Sequence, residues 1–318
     1  MKIVFMGSPD LSVVALQALL KSRHEVVCVI TQPDRPAGRG GAIYSTPLKQ
    51  FAEKVGLPIL QPERVSNDIS GFMKFEPDII VTAAFGQMLK QNVLEACKFG
   101  VINVHASLLP KYRGSSPVQW AIINGETQTG VTIMQTDIGL DTGDIILQKP
   151  LDIEPEETSG ELLKRLAFLG ADALIEALDL IESGRAKHFP QKETEATYFE
   201  LLKKETGRIN WSLPSYQIVN IVRGLNPWPV AYFNFKGETF RVHKATAIPD
   251  EQIQTTSYLD TVGRRIGEVV YSSAKVGLFV KCLDGVLRID KIQPAGKPVM
   301  AIRDFLNGRQ ISEGATLG

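Results

Sequence analysis

The chain has 318 residues, of which 44% are hydrophobic and 22% charged, and its 35 basic and 35 acidic side chains cancel at pH 7. This is an ordinary soluble composition, long enough to bury a full core in two or three domains. Apolar runs are short and interrupted, none approaching the roughly 20 residues needed to cross a bilayer, and no signal or transit segment precedes the first strand-like run, so the expected setting is a bacterial cytoplasm with no membrane role.

Residues 2–6 read as a strand, after which Ser8 and Pro9 suit the cap and first turn of a helix carrying Val13, Val14, Leu16, Leu19 and Leu20. A second strand at 25–30 completes a β-α-β unit. The pattern repeats: Thr46 and Pro47 open a helix ending near Gly56, 58–60 is a short strand, and 78–85 is a continuous buried one. Residues 99–107 form the next strand. Such alternation predicts an α/β fold with a doubly wound, mostly parallel, Rossmann-like sheet.

Ser116 and Pro117 cap a helix that stops at Gly125, and 131–135 and 145–151 read as further strands. Thr158 and Glu161 form a capping box that opens a long amphipathic helix running to about Gly184. The stretch 185–205 is charged and poor in periodic apolar residues, which suits a linker. The domains are therefore expected at 1–189 and 206–318, with a linker at 190–205. In the second domain, 232–235, 239–244, 267–271, 278–282 and 286–292 alternate or run apolar between turn signals, the pattern of a small β-barrel.

Several chemistries find no support. Gly7 stands alone in the first strand-turn-helix, without the Gly-x-Gly-x-x-Gly of a dinucleotide site, and there is no phosphate-binding Walker loop. Cys28, Cys97 and Cys282 are far apart and lack metal-ligand spacing, and the four histidines are scattered. Reduced, structural thiols and no protein-held metal are the expectation. The zero net charge hides an asymmetry: residues 1–200 carry 19 basic and 25 acidic side chains, whereas 201–318 carry 16 and 10. A basic C-terminal part suits a polyanionic partner.

The most specific pattern is Asn103-Val104-His105, followed after 36 residues by Asp141 in Leu140-Asp141-Thr142-Gly143-Asp144. Two positions apart on a strand, Asn103 and His105 share one face. Buried polar groups on one face are costly unless they work together. A lone histidine at a strand end is more often structural, and an Asp before Thr-Gly is often a turn former. As a set they are harder to explain that way: an amide donor, an imidazole and a carboxylate are the parts that hold an oxyanion and move a proton.

This set resembles the signature of the formyltetrahydrofolate-dependent formyltransferases, in which an Asn and a His from one strand meet an Asp from a following loop at the transferred formyl group. The resemblance extends over 1–10, 31–40, Tyr112-Arg113-Gly114, 130–135 and 223–229, nearly the whole chain. It implies catalytic roles for Asn103, His105 and Asp141, and an OB-like form for the C-terminal barrel. The donor it implies is 10-formyltetrahydrofolate, acting without a metal. The acceptor it implies is the free α-amino group of initiator methionyl-tRNA, and a monomer is expected to bind it. Asp141 has two open roles, favouring a charged imidazole at His105 or taking the amine's proton directly or through a water.

By the same resemblance, folate meets Phe85, Gly86, Gln87, Met88 and Leu89, then Ser107, Leu108, Leu109 and Pro110, and finally Ile138 and Leu140 of the Asp141 loop. By residue type Phe85, Met88, Leu108 and Leu109 are equally core candidates. For tRNA, Arg39 matches an arginine of the family's acceptor-stem loop, but Gly41 and Ala42 stand where the family commonly has two lysines. Lys203, Lys204, Arg208 and Arg223 surround Trp211 and Trp228; the cations are assigned to tRNA and the tryptophans to packing. Two rival readings are a formyltransferase acting on a sugar-nucleotide or purine-precursor amine, and a non-catalytic RNA-binding protein on the same scaffold. The basic C-terminal part opposes the first and the intact Asn-His-Asp set the second.

Overall fold

In the computed structural model, which describes residues 1–37, 42–253 and 256–318, the chain divides into two units. The first comprises Met1–Pro117, Gln128–Asp152 and Leu163–Phe199; the second comprises Val118–Thr127, Ile153–Leu162 and Glu200–Gly318. The stretch expected to be a linker thus contributes residues as far as Phe199 to the first unit.

The first unit begins with β1 (Lys2–Gly7), α1 (Asp10–Lys21) and β2 (Glu25–Ile30), followed by the pair β3 (Arg35–Ala37) and β4 (Ala42–Tyr44). Next come α2 (Pro47–Lys54), β5 (Ile59–Leu60), α3 (Ser70–Met73), β6 (Ile79–Ala83), α4 (Gln91–Leu94) and β7 (Val101–His105). After β8 (Arg113–Gly114) and α5 (Pro117–Ile123), which from Val118 onward belongs to the second unit, strands β9 (Gln128–Gln135) and β10 (Ile145–Asp152) precede α6 (Ser159–Glu182), part of the first unit from Leu163, and β11 (Tyr198–Phe199) pairs with β8. The main sheet has the order β10-β9-β7-β6-β1-β2-β5. From β5 to β7 the pairs are parallel, while β9 and β10 are antiparallel additions. The chain winds outward from β1 on one side and returns on the other, so the strand order reverses between β1 and β6, beyond whose carboxyl ends such sheets usually bind ligands.

The parallel strands are continuous apolar runs because both faces are covered: every residue of β6 is buried, as are Ile3, Val4, Phe5 and Met6 of β1. The expected strand at 78–85 stops at Ala83 because Ala84 has φ +50°. Helix α1 differs from expectation at its start. Ser8 does not cap it; instead its backbone N–H donates to Ser12 Oγ, whose hydroxyl donates to the Ala83 carbonyl at 2.7 Å. Leu16 and Leu19 face the core as expected, whereas Leu20 is exposed. Thr46 does cap α2, accepting the Lys49 N–H at 3.1 Å. Thr158 and Glu161 form the capping box of α6, with the Thr158 N–H donating to Glu161 at 2.8 Å. The three thiols are buried, and burial pushes Cys28 and Cys97 up to about 11 and Cys282 to about 12, which keeps them protonated and inert.

The second unit is built on α7 (Ser215–Gly224), β12 (Ala231–Phe235), β13 (Glu238–Pro249), α8 (Asp250–Ile253), β14 (Val269–Ser273), β15 (Gly277–Lys281), β16 (Gly285–Pro294), β17 (Met300–Ala301) and α9 (Ile302–Gly308). Its antiparallel sheet runs β12-β13-β16-β15-β14, with β17 on β16. Breaks of register around Lys244 bend the long β13. The expected barrel is completed by the last residues of the chain. The Val269 N–H donates to the Ala315 carbonyl and the Leu317 N–H to that of Gly267 at one edge, and Gly318 exchanges backbone bonds with Asn234 at the other. Inside lie Trp211, Phe233, Phe240 and Phe305, with Phe233 and Phe240 stacked at 5.4 Å. Trp211 is a packing residue, as expected, but Trp228 is 50% exposed: it lies in a proline-flanked turn outside the apolar cluster. Among the described residues no helix is long and apolar enough to cross a membrane.

Gly7 marks the closest approach in the first unit, since a Cβ there would lie 2.5 Å from Ser12 Oγ and 2.7 Å from the Ala83 carbonyl. Gly7→Ala is therefore expected to cost about 1–3 kcal/mol by overpacking, read as a lower urea midpoint. An unchanged midpoint would contradict this packing.

Candidate active site

Strand β7 presents Asn103 and His105 on one side and Val104 on the other. Its other side is closed: a Cβ on Gly170 of α6 would lie 3.0 Å from Val104 Cγ1. Asn103 pairs in register with Thr82 of β6, and the Thr82 hydroxyl donates to Asn103 Oδ1 at 2.8 Å. With its oxygen engaged, the amide has its Nδ2–H donors left for a ligand.

His105 is 6% exposed, and its Nε2 lies 3.0 Å from the Tyr112 carbonyl. A carbonyl can only accept, so this bond puts the proton on Nε2 and makes Nδ1 the reactive edge. That edge faces Asp141, whose Oδ2 lies 3.7 Å from Nδ1. The same Oδ2 accepts the Gly114 N–H at 2.9 Å. The three sequence-expected catalytic residues thus meet in the first unit, two directly and Asn103 by sharing the strand face.

The loop that carries Asp141 is tightly specified. Asp137 accepts from the Gly139 N–H and the Thr142 hydroxyl, and a Cβ on Gly143 would lie 1.9 Å from the Gln135 carbonyl. Gly114 has φ +94°, and a Cβ there would meet the Phe199 carbonyl at 2.6 Å. Of seven non-glycine residues with positive φ among those described, Ala84, Tyr112, Ser116 and Asp141 flank this region. Concentration of disfavoured backbone in one place is typical of functional sites.

Under the site lies Arg113, 1% exposed. Its Nε and Nη2 donate to Gln191 Oε1 at 3.1 and 3.0 Å, and its Nη1 donates to Glu193 at 2.8 Å and to the Tyr198 hydroxyl. Burial opposes the charge, but the bonds to Glu193 and Tyr198 outweigh it and hold the guanidinium above its ordinary value. The hydrogen bond from Arg113 holds the Glu193 carboxyl below its ordinary value, helped by Tyr198. In the sequence Tyr112-Arg113-Gly114 is legible only as a matching motif, and no local signal marks Thr82, Gln191 or Glu193.

The expected folate residues fall into two groups. Phe85 and Leu89 are buried in the core with Val4, Met6 and Ile30, and Ser107 and Leu109 are buried as well. The Ser107 hydroxyl donates to the Lys111 carbonyl, and the Leu109 N–H donates to Thr132, so these two shape the turn after β7. The Gln87 amide is spent on the Val65 N–H and the Pro62 carbonyl. Gly86, Met88, Ile138 and Leu140 are exposed, and Leu108 and Pro110 half-buried. Leu140 lies beside Gly114, its Cδ2 3.6 Å from where a Cβ would sit.

Of the expected tRNA cations, Arg39 lies outside the described residues. Lys203, Lys204 and Arg208 are exposed in the second unit, and none has an ion-pair partner among the described residues. Arg223 differs. Its side chain donates to Asn220 at 3.0 Å and to the Glu154 carbonyl at 3.2 Å, and burial lowers its pKa. One group of metal-ligand type occurs among the described residues, His24, Asp179 and Glu182. The Arg23 guanidinium already bridges both carboxylates at 2.8 Å.

The chain matches the family model described as formyl transferase over residues 1–178 and that of the formyl transferase C-terminal domain over 201–310. It is 42% identical to a methionyl-tRNA formyltransferase of Alkaliphilus oremlandii, with all of both chains covered. To that of Agathobacter rectalis it is 40% identical, with 99% of each covered. Among solved structures, a sugar 3N-formyl transferase shares the fold with a TM-score of 0.64 at 22% identity, covering 94% of this chain and 99% of that one. A methionyl-tRNA formyltransferase from Clostridium thermocellum gives 0.55 at 17%, covering 78% and 94%.

The depressed Glu193 carboxyl has a consequence for acid stability. A carboxyl lowered by folding stabilises above its unfolded value of 4.5 and loses that contribution as pH falls through the folded value. Glu193→Gln should lower the urea midpoint at pH 7 and flatten its decline below about pH 5. Glu193 is exposed, so the effect should be small and salt-sensitive; identical acid limbs for the two proteins would refute the clamp.

Proposed function

The chain belongs to the methionyl-tRNA formyltransferase family, and on that premise we propose that its Asn103-His105-Asp141 set transfers the formyl group of 10-formyltetrahydrofolate to the free α-amino group of initiator methionyl-tRNA. The observation that carries this assignment is the His105 Nδ1 edge facing the Asp141 carboxylate at 3.7 Å beside an amide whose oxygen is already engaged.

The reaction forms a C–N bond between the amine and the formyl carbon and breaks the bond from that carbon to N10. One proton leaves the amine and one reaches N10. Asn103 Nδ2–H and, in the charged ring, His105 Nδ1–H donate to the oxyanion of the tetrahedral intermediate. Asp141 accepts the amine's proton, since a carboxylate is the one group of the three that only accepts. The set needs donors and a base, not a protein-held metal. Folate recognition falls to the exposed Met88, Ile138 and Leu140 with Leu108, Pro110 and the Gly86 backbone, a mix of apolar walls and exposed backbone that suits a flat pterin. Phe85, Gln87, Leu89, Ser107 and Leu109 support that surface from below. The enzyme works as a monomer in a bacterial cytoplasm.

The decisive assay supplies 10-formyltetrahydrofolate and charged initiator tRNA, with elongator methionyl-tRNA and an amino-sugar nucleotide as competitors. Alanine at Asn103, His105 or Asp141 should lower turnover by about a hundredfold or more and leave tRNA binding intact. Near-normal turnover in a folded His105→Ala protein would reject the mechanism.

For tRNA, Lys203, Lys204 and Arg208 are proposed as phosphate contacts, together with Arg39. Each alanine variant should weaken binding and reduce the salt slope by about one unit. Arg39→Ala should in addition impair formylation without changing folate affinity. Arg223→Ala should instead lower the unfolding midpoint. Unchanged salt slopes in all four cation variants would remove these residues from the interface.

A further inference from the structure

We propose that Gln191 is a positioning residue for the catalytic carboxylate, and that residues 191–199, which read as linker in the sequence, are a strap that sets the geometry of the site. The inference rests on the reading of Asp141 as the proton acceptor. Gln191 uses its whole amide. Its Nε2 donates to the carbonyls of Asp141 at 2.9 Å and Gly143 at 2.7 Å, and its Oε1 accepts two bonds from the Arg113 guanidinium.

This arrangement has one orientation only. A guanidinium offers no acceptor and a carbonyl no donor, so the Gln191 amide cannot flip without losing all four bonds. Arg113 in turn lies between the two backbone groups that hold the catalytic side chains, the Tyr112 carbonyl on His105 and the Gly114 N–H on Asp141. A closed circuit results. Asp141 is held at its carboxylate by Gly114 and at its carbonyl by Gln191, and Arg113 joins the two.

The rest of the strap fixes the backbone from Tyr112 to Ser115. The Arg113 N–H donates to the Thr197 carbonyl and the Ser115 N–H to that of Phe199, while the Tyr112 N–H donates to the Thr197 hydroxyl. The Tyr112 and Phe199 rings stack at 4.9 Å. Asp141 and Tyr112 both hold positive φ, at 54° and 60°, which L-residues adopt only when surrounding contacts impose it.

Gln191→Glu separates positioning from plain anchoring. The carboxylate still accepts from Arg113, with a stronger charge-assisted bond, but it cannot donate to the Asp141 and Gly143 carbonyls and repels them. Steady-state kinetics should show kcat lower by about ten- to a hundredfold, by analogy with the loss of residues that orient first-contact ligands, with KM for both substrates near wild type. The urea midpoint should stay at or above that of the wild type. Gln191→Leu should lose both kcat and midpoint. A Gln191→Glu enzyme with wild-type kcat would overturn the proposal and leave Gln191 as an anchor for Arg113. Asp141→Ala, run alongside, distinguishes the two readings: normal turnover in that variant overturns the role of Asp141 itself.

Discussion

The backbone of Tyr112-Arg113-Gly114 is the constraint on which the rest of the site depends. One carbonyl and one N–H, two residues apart, hold the imidazole of His105 and the carboxylate of Asp141. Since a carbonyl only accepts and an N–H only donates, these two bonds decide which ring nitrogen is free and which carboxylate oxygen is engaged. The sheet supplies the remaining part, because β7 puts Asn103 next to Thr82 in register and aims both polar side chains away from α6.

Holding that backbone in place involves a buried charge. An isolated guanidinium moved into a protein interior costs several kcal/mol even after relaxation, so Arg113 is stable there only with full pairing. Gln191, Glu193 and Tyr198 provide it, and all three lie on the stretch leading to β11. Gln191 takes two of the donors, while Glu193 and Tyr198 share Nη1, so the Gln191 bonds are the ones with no second acceptor. A rigid clamp suits a reaction in which the oxyanion donors must be in position before charge develops.

Much of this architecture is legible from the residues, because apolar period and cap chemistry are local signals. Thr46 and the pair Thr158 and Glu161 cap as their types demand, and the Asn103-His105 spacing places both on one strand face. What escapes is whatever depends on partners distant in sequence. Gln191 lies 50 positions from Asp141 in a charged stretch without periodicity, so nothing local distinguishes it from a linker residue. Phe85 and Leu89 show the same limit from the other side: apolar type suits a ligand wall and a core equally, and here they pack in the core. Arg223 sits among cations and aromatics, and its bonds to Asn220 and the Glu154 carbonyl are not visible from that setting. Trp228 looks like a packing residue but projects from a proline-flanked turn.

His105 spends its Nε2 proton on the Tyr112 carbonyl and offers Nδ1 to the chemistry. Nitrogen-15 NMR of protein labelled in its histidines tests this directly, with His105 assigned by comparison with His105→Gln. At a pH where the ring is neutral, a protonated Nε2 and a bare Nδ1 are expected. A neutral His105 carrying its proton on Nδ1 would contradict it.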